Sequence, residues 1–251
     1  MQKEKIRLDK LLLQKQICQD IDRARSLILA GAVLVNGQKV TKSGVKFSSD
    51  SEITTLDKIP HYVSRGAYKL KHAIETFNIQ AQNKIAIDLG SSTGGFTQVL
   101  LELGVEKVYA FDVGYGQMVS KIRNHPNVTV KDRFNVKNIS WAELETVYKK
   151  ILIVMDLSFI SLFSVFPSLF KLKQDSLHTQ IEVVSLIKPQ FECAKSELAK
   201  GVVKDREVHF RIIKKFIKYI KEEMKGEILG LTVSPITGRE GNKEFLLYWK
   251  I

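Results

Sequence analysis

From residue 84 onward, short apolar runs alternate with helical patterns, and this alternation constrains the fold more than any other feature. Runs rich in Val, Ile and Leu occupy 84–89, 107–112, 128–130, 151–155, 182–187, 227–233 and 245–250. Their length suits strands buried on both faces. Segments 95–104, 141–148 and 206–224 repeat apolar residues at helical spacing. Strands alternating with helices predict an α/β fold, a mostly parallel sheet covered by helices on both sides. The stretch 151–170 is long enough to span a membrane, yet it carries Asp156 and Pro167. A central Asp costs about 2.5–3.5 kcal/mol on insertion, so a buried strand, a loop and a short helix are the expected form.

The first sixty residues read as a separate unit. Ile6, Leu8, Leu11, Leu12 and Leu13 mark a short helix, and Asp20 and Asp22 suit the start of a second over 23–30, with Gly31 as its C-cap. Asn36-Gly37 between β-prone runs predicts a type I′ hairpin, and 52–56 a further strand. Pro60 marks the expected boundary. The chain carries a net charge of +12, and its first 46 residues hold ten Lys and Arg against four Asp and Glu. Lys10, Arg23, Arg25 and Lys39 are expected on an outward, phosphate-binding face. Two cysteines, Cys18 and Cys193, exclude a disulfide scaffold or a Cys-rich zinc module. No signal peptide is visible at the start, so the cytoplasm is the expected location, without stable membrane association.

The run from Ile85 to Thr97 reads as strand, glycine-rich turn and helix start, which lets backbone approach a ligand closely. It lacks the G-x-G-x-x-G of a dinucleotide site and the Gly-Lys-Ser/Thr of a P-loop. Its Asp-x-Gly-x-x-x-Gly-Gly form resembles the S-adenosylmethionine loop of Rossmann-like methyltransferases. Asp112 ends the next strand 24 residues after Asp88, where a carboxylate can accept ribose hydroxyls.

Four charges sit where a sheet protein tolerates them poorly. Lys69 lies ahead of the cofactor strand, Asp156 and Lys188 follow apolar strands, and Glu244 enters the last one. Ligands of open α/β sheets bind beyond the carboxyl ends of the strands, so these residues point to one crevice. Taken singly, each is as readily a cap or a surface charge. Together they suit methyl transfer to a hydroxyl, whose proton a lysine beside a second cation can accept without a metal.

The residues now define a resemblance. Arg7-Leu8-Asp9-Lys10-Leu11-Leu12 and Gly31-Ala32-Val33-Leu34-Val35-Asn36-Gly37 are similar to the S4 RNA-binding module. The remainder is similar to FtsJ-like methyltransferases through Val63-Ser64-Arg65-Gly66, the 88–97 loop and Asp112-Val113-Gly114-Tyr115-Gly116-Gln117. Farther on come Asp156-Leu157-Ser158-Phe159-Ile160-Ser161, Lys188-Pro189-Gln190-Phe191-Glu192 and Gly241-Asn242-Lys243-Glu244-Phe245. The whole resembles the S4-domain ribosomal RNA 2′-O-methyltransferases of the hemolysin A (TlyA) type. The resemblance implies an S4-like domain over 1–59, a linker over 60–66 and a Rossmann-like methyltransferase domain over 67–251. It implies Lys69, Asp156, Lys188 and Glu244 as the catalytic set, with Lys188 the proton acceptor. Asp88, Gly90, Ser91, Thr93, Gly94, Gly95, Phe96, Asp112 and Asp132 would hold S-adenosylmethionine, Asn135 rivalling Asp132 at the adenine. Arg7, Lys10, Arg23, Arg25, Lys39 and Arg65 would contact RNA, and no metal is implied. Ala67 departs from the family, which usually has a second glycine there. The implied substrate is a cytidine 2′-hydroxyl in rRNA of the 30S subunit, with the 50S subunit within the family's range, for a monomer or weak oligomer. Two other readings stand beside it: a membrane-active hemolysin, and an RNA-binding protein with an inert methyltransferase domain.

Overall fold

A computed structural model describes residues 5–18, 20–29, 31–55, 61–238 and 240–251, the side chains of Asp22 and Ser26 excepted. The chain divides into two units, Met1–Arg65 with Thr93–Gly95, and Gly66–Ser92 with Phe96–Ile251.

In the first unit, β1 (Lys5–Arg7) leads into α1 (Leu8–Gln14), followed by α2 (Ile21–Leu29), β2 (Val33–Val35), β3 (Gln38–Lys39), β4 (Lys46–Ser48) and β5 (Ile53–Thr55). Leu8, Leu11 and Leu12, three and four apart, are wholly buried, and Leu8 and Leu12 pack with Ala24, Leu27 and Ile28 of α2 and Val33 and Val35 of β2. Asp20 caps α2 by accepting the Arg23 N–H at 2.7 Å. Past its other end, Gly31 takes φ +71°, its N–H donating to Ile28 O while the Ala32 N–H donates to Leu27 O. This is the paired closure that glycine permits after a helix. Asn36 (φ 50°) and Gly37 (φ 77°) both adopt the positive angles of a type I′ turn, joining β2 to β3 with Val35 opposite Gln38. β5 pairs with the other side of β2. The β1–β4 ladder has no counterpart in the sequence reading, because three-residue strands leave no periodicity to see. Ala30, Leu56 and Pro60, the expected helix end, strand end and boundary, lie outside the described residues.

The second unit runs α3 (Ala67–Phe77), β6 (Ile85–Leu89), α4 (Gly95–Glu102), β7 (Lys107–Phe111), α5 (Ser120–Arg123), β8 (Val128–Lys131), β9 (Lys150–Met155), α6 (Phe166–Asp175), β10 (Gln180–Ile187), α7 (Arg206–Glu222), β11 (Glu227–Val233) and β12 (Phe245–Lys250). The seven strands lie in the order β11-β12-β10-β9-β6-β7-β8. β10 through β8 are parallel, and β12 is inserted antiparallel between β10 and β11. Because β6 pairs with β7 on one side and β9 on the other, the chain reverses its direction of travel across the sheet there, which opens a crevice at the carboxyl ends. Ile85, Ile87 and Leu89 pack on α6 and α7 residues such as Phe166, Leu169 and Phe216, so by alternation Ala86 and Asp88 face the other side.

Two expectations fail. Ile6, expected in the first helix, lies in β1 opposite Phe47, and that helix begins only at Leu8. Segment 141–148 forms only a single 3-10 turn, Trp141–Glu143. Tertiary bonds override helical spacing there, the Trp141 indole donating to Leu172 O and the Tyr148 hydroxyl pairing with that of Tyr109. α3 was not anticipated as a helix. Pro167 sits in the first turn of α6, where a missing N–H costs nothing. Among the described residues, no helix is long and apolar enough to cross a membrane.

Candidate active site

The chain leaves β6 through Gly90 at φ +89°. A Cβ there would lie 2.8 Å from the Asp156 carbonyl oxygen and 2.9 Å from Leu157 Cδ2, so only glycine lets this turn close against the exit of β9. The N–H groups of Gly90 and Ser91 donate to Phe111 O at the end of β7. Ser92 (φ 46°) and Gly94 (φ 94°) also take positive angles, and α4 starts at Gly95 with Phe96 buried behind it. Asp112 accepts the Ser92 N–H on Oδ2 at 2.8 Å and the Gly114 N–H on Oδ1 at 2.7 Å. Both oxygens thus already hold the loops together and keep one lone-pair direction each for a ligand. Asp132 accepts the Gly116 N–H at 3.1 Å and pairs with Arg123; although desolvation opposes it, these partners hold its pKa below the usual range. Its rival Asn135 is engaged as a cap, accepting the Lys137 N–H.

Asp88 is fully buried. Its Oδ2 accepts the Thr97 hydroxyl at 2.7 Å, a partner the sequence reading did not single out. Burial pushes its pKa up to about 7, against the opposing Thr97 bond. Asp88 Oδ1 and Ser91 Oγ are buried without a hydrogen-bond partner among the described residues.

Register brings the charged residues together. Leu89 pairs with Met155, Met155 with Ser185, and Ile187 with Phe245. Asp156 and Lys188 each follow a strand at this edge, and Glu244 precedes the antiparallel β12 at the same edge. The first turn of α3 adds Lys69. The four form an alternating chain: Glu244 Oε2 lies 2.7 Å from Lys69 Nζ, which is 3.8 Å from Asp156 Oδ2, and Asp156 Oδ1 is 2.6 Å from Lys188 Nζ. Lys188 donates its aligned hydrogen bond to Ser158 Oγ at 2.7 Å, a residue not singled out from sequence. Lys69 and Lys188 are 7% exposed and Glu244 2%. Desolvation works against an ionised Asp156, yet Lys188 and Lys69 together hold its pKa below the usual range. Asp156 Oδ1 and Glu244 Oε2 are buried and make charge contacts, but accept no well-angled hydrogen bond from a described residue.

In the first unit, Arg7 grips Asp9 with both Nε (3.0 Å) and Nη2 (2.7 Å), and Arg25 Nε reaches the same carboxylate at 3.3 Å. The Arg7 hydrogen bonds, opposed by desolvation, hold Asp9 below its ordinary pKa. Asp9 is 1% exposed whereas both arginines keep over 40% of their side-chain surface. Asp9, quoted in the S4 resemblance but not picked as a site residue, is therefore the buried post that aims two guanidinium groups outward. Lys10, Lys39 and Arg65 are exposed and Arg23 is half-buried. Among the described residues, no group of three or more His, Cys, Asp and Glu could hold a metal ion.

A switch-point crevice, a glycine turn closed against β9 and an acid ending β7, under a sheet whose last strand runs antiparallel, define a methyltransferase of the Rossmann-like class. Residues 62–251 match the FtsJ-like methyltransferase family model, and residues 6–53 match the S4 domain. Hemolysin A of Brachyspira hyodysenteriae is 38% identical over 98% of this chain and 100% of its own length. The 16S/23S rRNA (cytidine-2′-O)-methyltransferase TlyA of Mycobacterium tuberculosis is 36% identical over 96% of this chain and 88% of its own. A solved structure from Streptococcus thermophilus, described as a candidate hemolysin, superposes with a TM-score of 0.73 at 32% identity, covering 98% of this chain and 88% of that one. The chain belongs to the FtsJ-like methyltransferase family, in its S4-domain TlyA/hemolysin A branch.

Proposed function

We propose that this protein transfers the methyl group of S-adenosylmethionine to a ribose 2′-hydroxyl, that of a cytidine in ribosomal RNA. The observation that carries the reading is the alternating Glu244–Lys69–Asp156–Lys188 chain beside the glycine turn. The unpartnered Asp88 Oδ1 and Ser91 Oγ, and the free lone pairs of Asp112, fit the donor's ammonium and hydroxyl groups. When bound, S-adenosylmethionine supplies an electrophilic methyl group on a sulfonium. Thr93, Gly94, Gly95 and Phe96 line its loop, and Asp132 holds the Gly116 backbone on the adenine side.

Lys188, as the neutral amine after its ammonium has released a proton to solvent, takes the proton of the attacking hydroxyl, and the oxygen–methyl bond forms as the methyl–sulfonium bond breaks. Asp156 and Ser158 fix its Nζ, and Asp156 also holds Lys69. Glu244 anchors Lys69 and positions the ribose. Near-complete burial of the lysines keeps water from competing for the methyl group. The Arg7 and Arg25 pair over Asp9, with Lys10, Arg23, Lys39 and Arg65, grips RNA phosphates. The mycobacterial relative's name covers the RNA of both subunits, so both belong in the assay; membrane lysis rests on a relative's name alone.

The test is transfer of labelled methyl from S-adenosylmethionine to isolated 30S and 50S subunits, with Lys188→Ala as control. The expected result is label on rRNA that makes one phosphodiester resistant to alkali, and none with the variant. Donor binding without label on either subunit would overturn the substrate, and absence of donor binding would overturn the reaction.

A further inference from the structure

Methyl transfer at the crevice asks nothing of the outer face of α7. This helix carries six Lys or Arg against two Glu. Its apolar side, Val208, Ile212, Phe216 and Ile220, is buried in the sheet core. On the opposite side Arg211, Lys214, Lys215, Lys218 and Lys221, with Glu222, line an open groove around Ile217. Some of that charge is balanced: Arg211 pairs with Glu197, and Lys218 lies 3.7 Å from Glu222. Lys215 sits over the Phe163 ring, 4.7 Å from its centroid. Lys214 and Lys221 meet no carboxylate within ion-pair distance among the described residues. A crossover helix needs only a polar outer face, which interleaved Glu and Lys would supply at no cost in repulsion. Here Lys214 and Lys221 add charge that no described carboxylate within ion-pair distance answers.

We infer that this strip is a second contact surface for the phosphate backbone of the rRNA substrate, carried by the catalytic unit itself. The inference rests on the rRNA reading above. Charge complementarity selects the occupant: from Arg211 to Lys221 the helix rises about 15 Å, which matches about four phosphates of one strand of a duplex. An anionic membrane is the poorer fit, since a helix that lies on a bilayer needs a free apolar face and that of α7 is buried in the core. None of the strip residues touches the charge chain or the glycine turn, so the contact supplies affinity rather than chemistry.

The experiment uses the full chain with Lys214, Lys218 and Lys221 all replaced by Gln, and a second variant with all three replaced by Arg. Affinity for purified 16S and 23S rRNA is measured from 50 to 200 mM KCl. Losing three phosphate contacts should flatten the log–log salt slope by about two to three, so the gap between wild type and the Gln variant narrows about 20- to 40-fold over that range. The Arg variant should keep the wild-type slope, and turnover at saturating RNA should be unchanged in both. An unchanged slope in the Gln variant overturns the inference, as does an Arg variant as weak as the Gln variant. Loss of binding to phosphatidylglycerol vesicles with rRNA binding intact overturns it in favour of a membrane. Wild-type methyl transfer to rRNA with an unchanged slope removes the strip alone, whereas wild type that transfers no methyl to rRNA removes the functional reading with it.

Discussion

Replacing Asp156 with Asn tests whether the four clustered charges act as one set. Wild type balances Lys69 and Lys188 against Asp156 and Glu244, with contacts of 2.6 to 3.8 Å. The substitution keeps the shape but leaves Lys188, 7% exposed, with Ser158 as its remaining partner. Removing one member of a buried pair costs about 3–5 kcal/mol. Asp156 retains 21% of its side-chain surface, which favours the low end. Asn can return about 1 kcal/mol through a neutral hydrogen bond. The expected loss is therefore about 2 kcal/mol, or a fall in Tm of about 4–8 °C for a unit of this size. Adding Lys188→Met removes the stranded cation and should recover most of that stability, since an apolar replacement of a buried pair is often neutral; methyl transfer should be lost in both variants. Urea unfolding followed by tryptophan fluorescence is the assay, because Trp141 and Trp249 both lie in the second unit. The pKa of Asp156 is lowered on folding, so its contribution is present above the ordinary carboxylate value and lost as pH falls through the lowered one. Wild type and variant should accordingly converge in strong acid. An Asp156→Asn protein as stable as wild type at pH 7, or a double variant no more stable than the single one, would refute the coupling.

Asp88 works in the opposite sense. With its folded pKa pushed up to about 7, the native state binds the extra proton, so this residue costs stability as pH rises from about 4 to about 7, by up to about 4 kcal/mol. Asp88→Asn should flatten the fall in unfolding free energy between about pH 4 and about pH 7, and superimposable profiles would contradict the buried acid. Gly90→Ala puts a Cβ 2.8 Å from the Asp156 carbonyl at φ +89°, so calorimetry should find donor binding lost and stability down by about 1–3 kcal/mol; normal donor affinity would mean the turn tolerates displacement. Asp9→Asn removes the buried charge under Arg7 and Arg25, so rRNA affinity should fall about tenfold although a negative charge has been deleted. Tighter binding would show that Asp9 only dilutes the basic face.

Much of this architecture was legible because its signals are local. Strands 227–233 and 245–250 have the bounds read from apolar runs, the Asn36-Gly37 hairpin follows from two residues that accept positive φ, and a turn of glycines after a buried strand announces itself. Charge bordering an apolar run also marks Asp156, Lys188 and Glu244 without any contact being known. The tertiary structure alone decided how these residues meet. Insertion of β12 antiparallel beside β10 turns the start of that strand to the crevice edge, and α3 delivers Lys69 there. It also decided that Asp112 is occupied by two backbone N–H groups, that Asp9 aims two arginines, and that 141–148 gives up its helix to bonds with Leu172 and Tyr109. Periodicity reports which face of an element is apolar, whereas strand order, register and side-chain partners depend on residues distant in the chain.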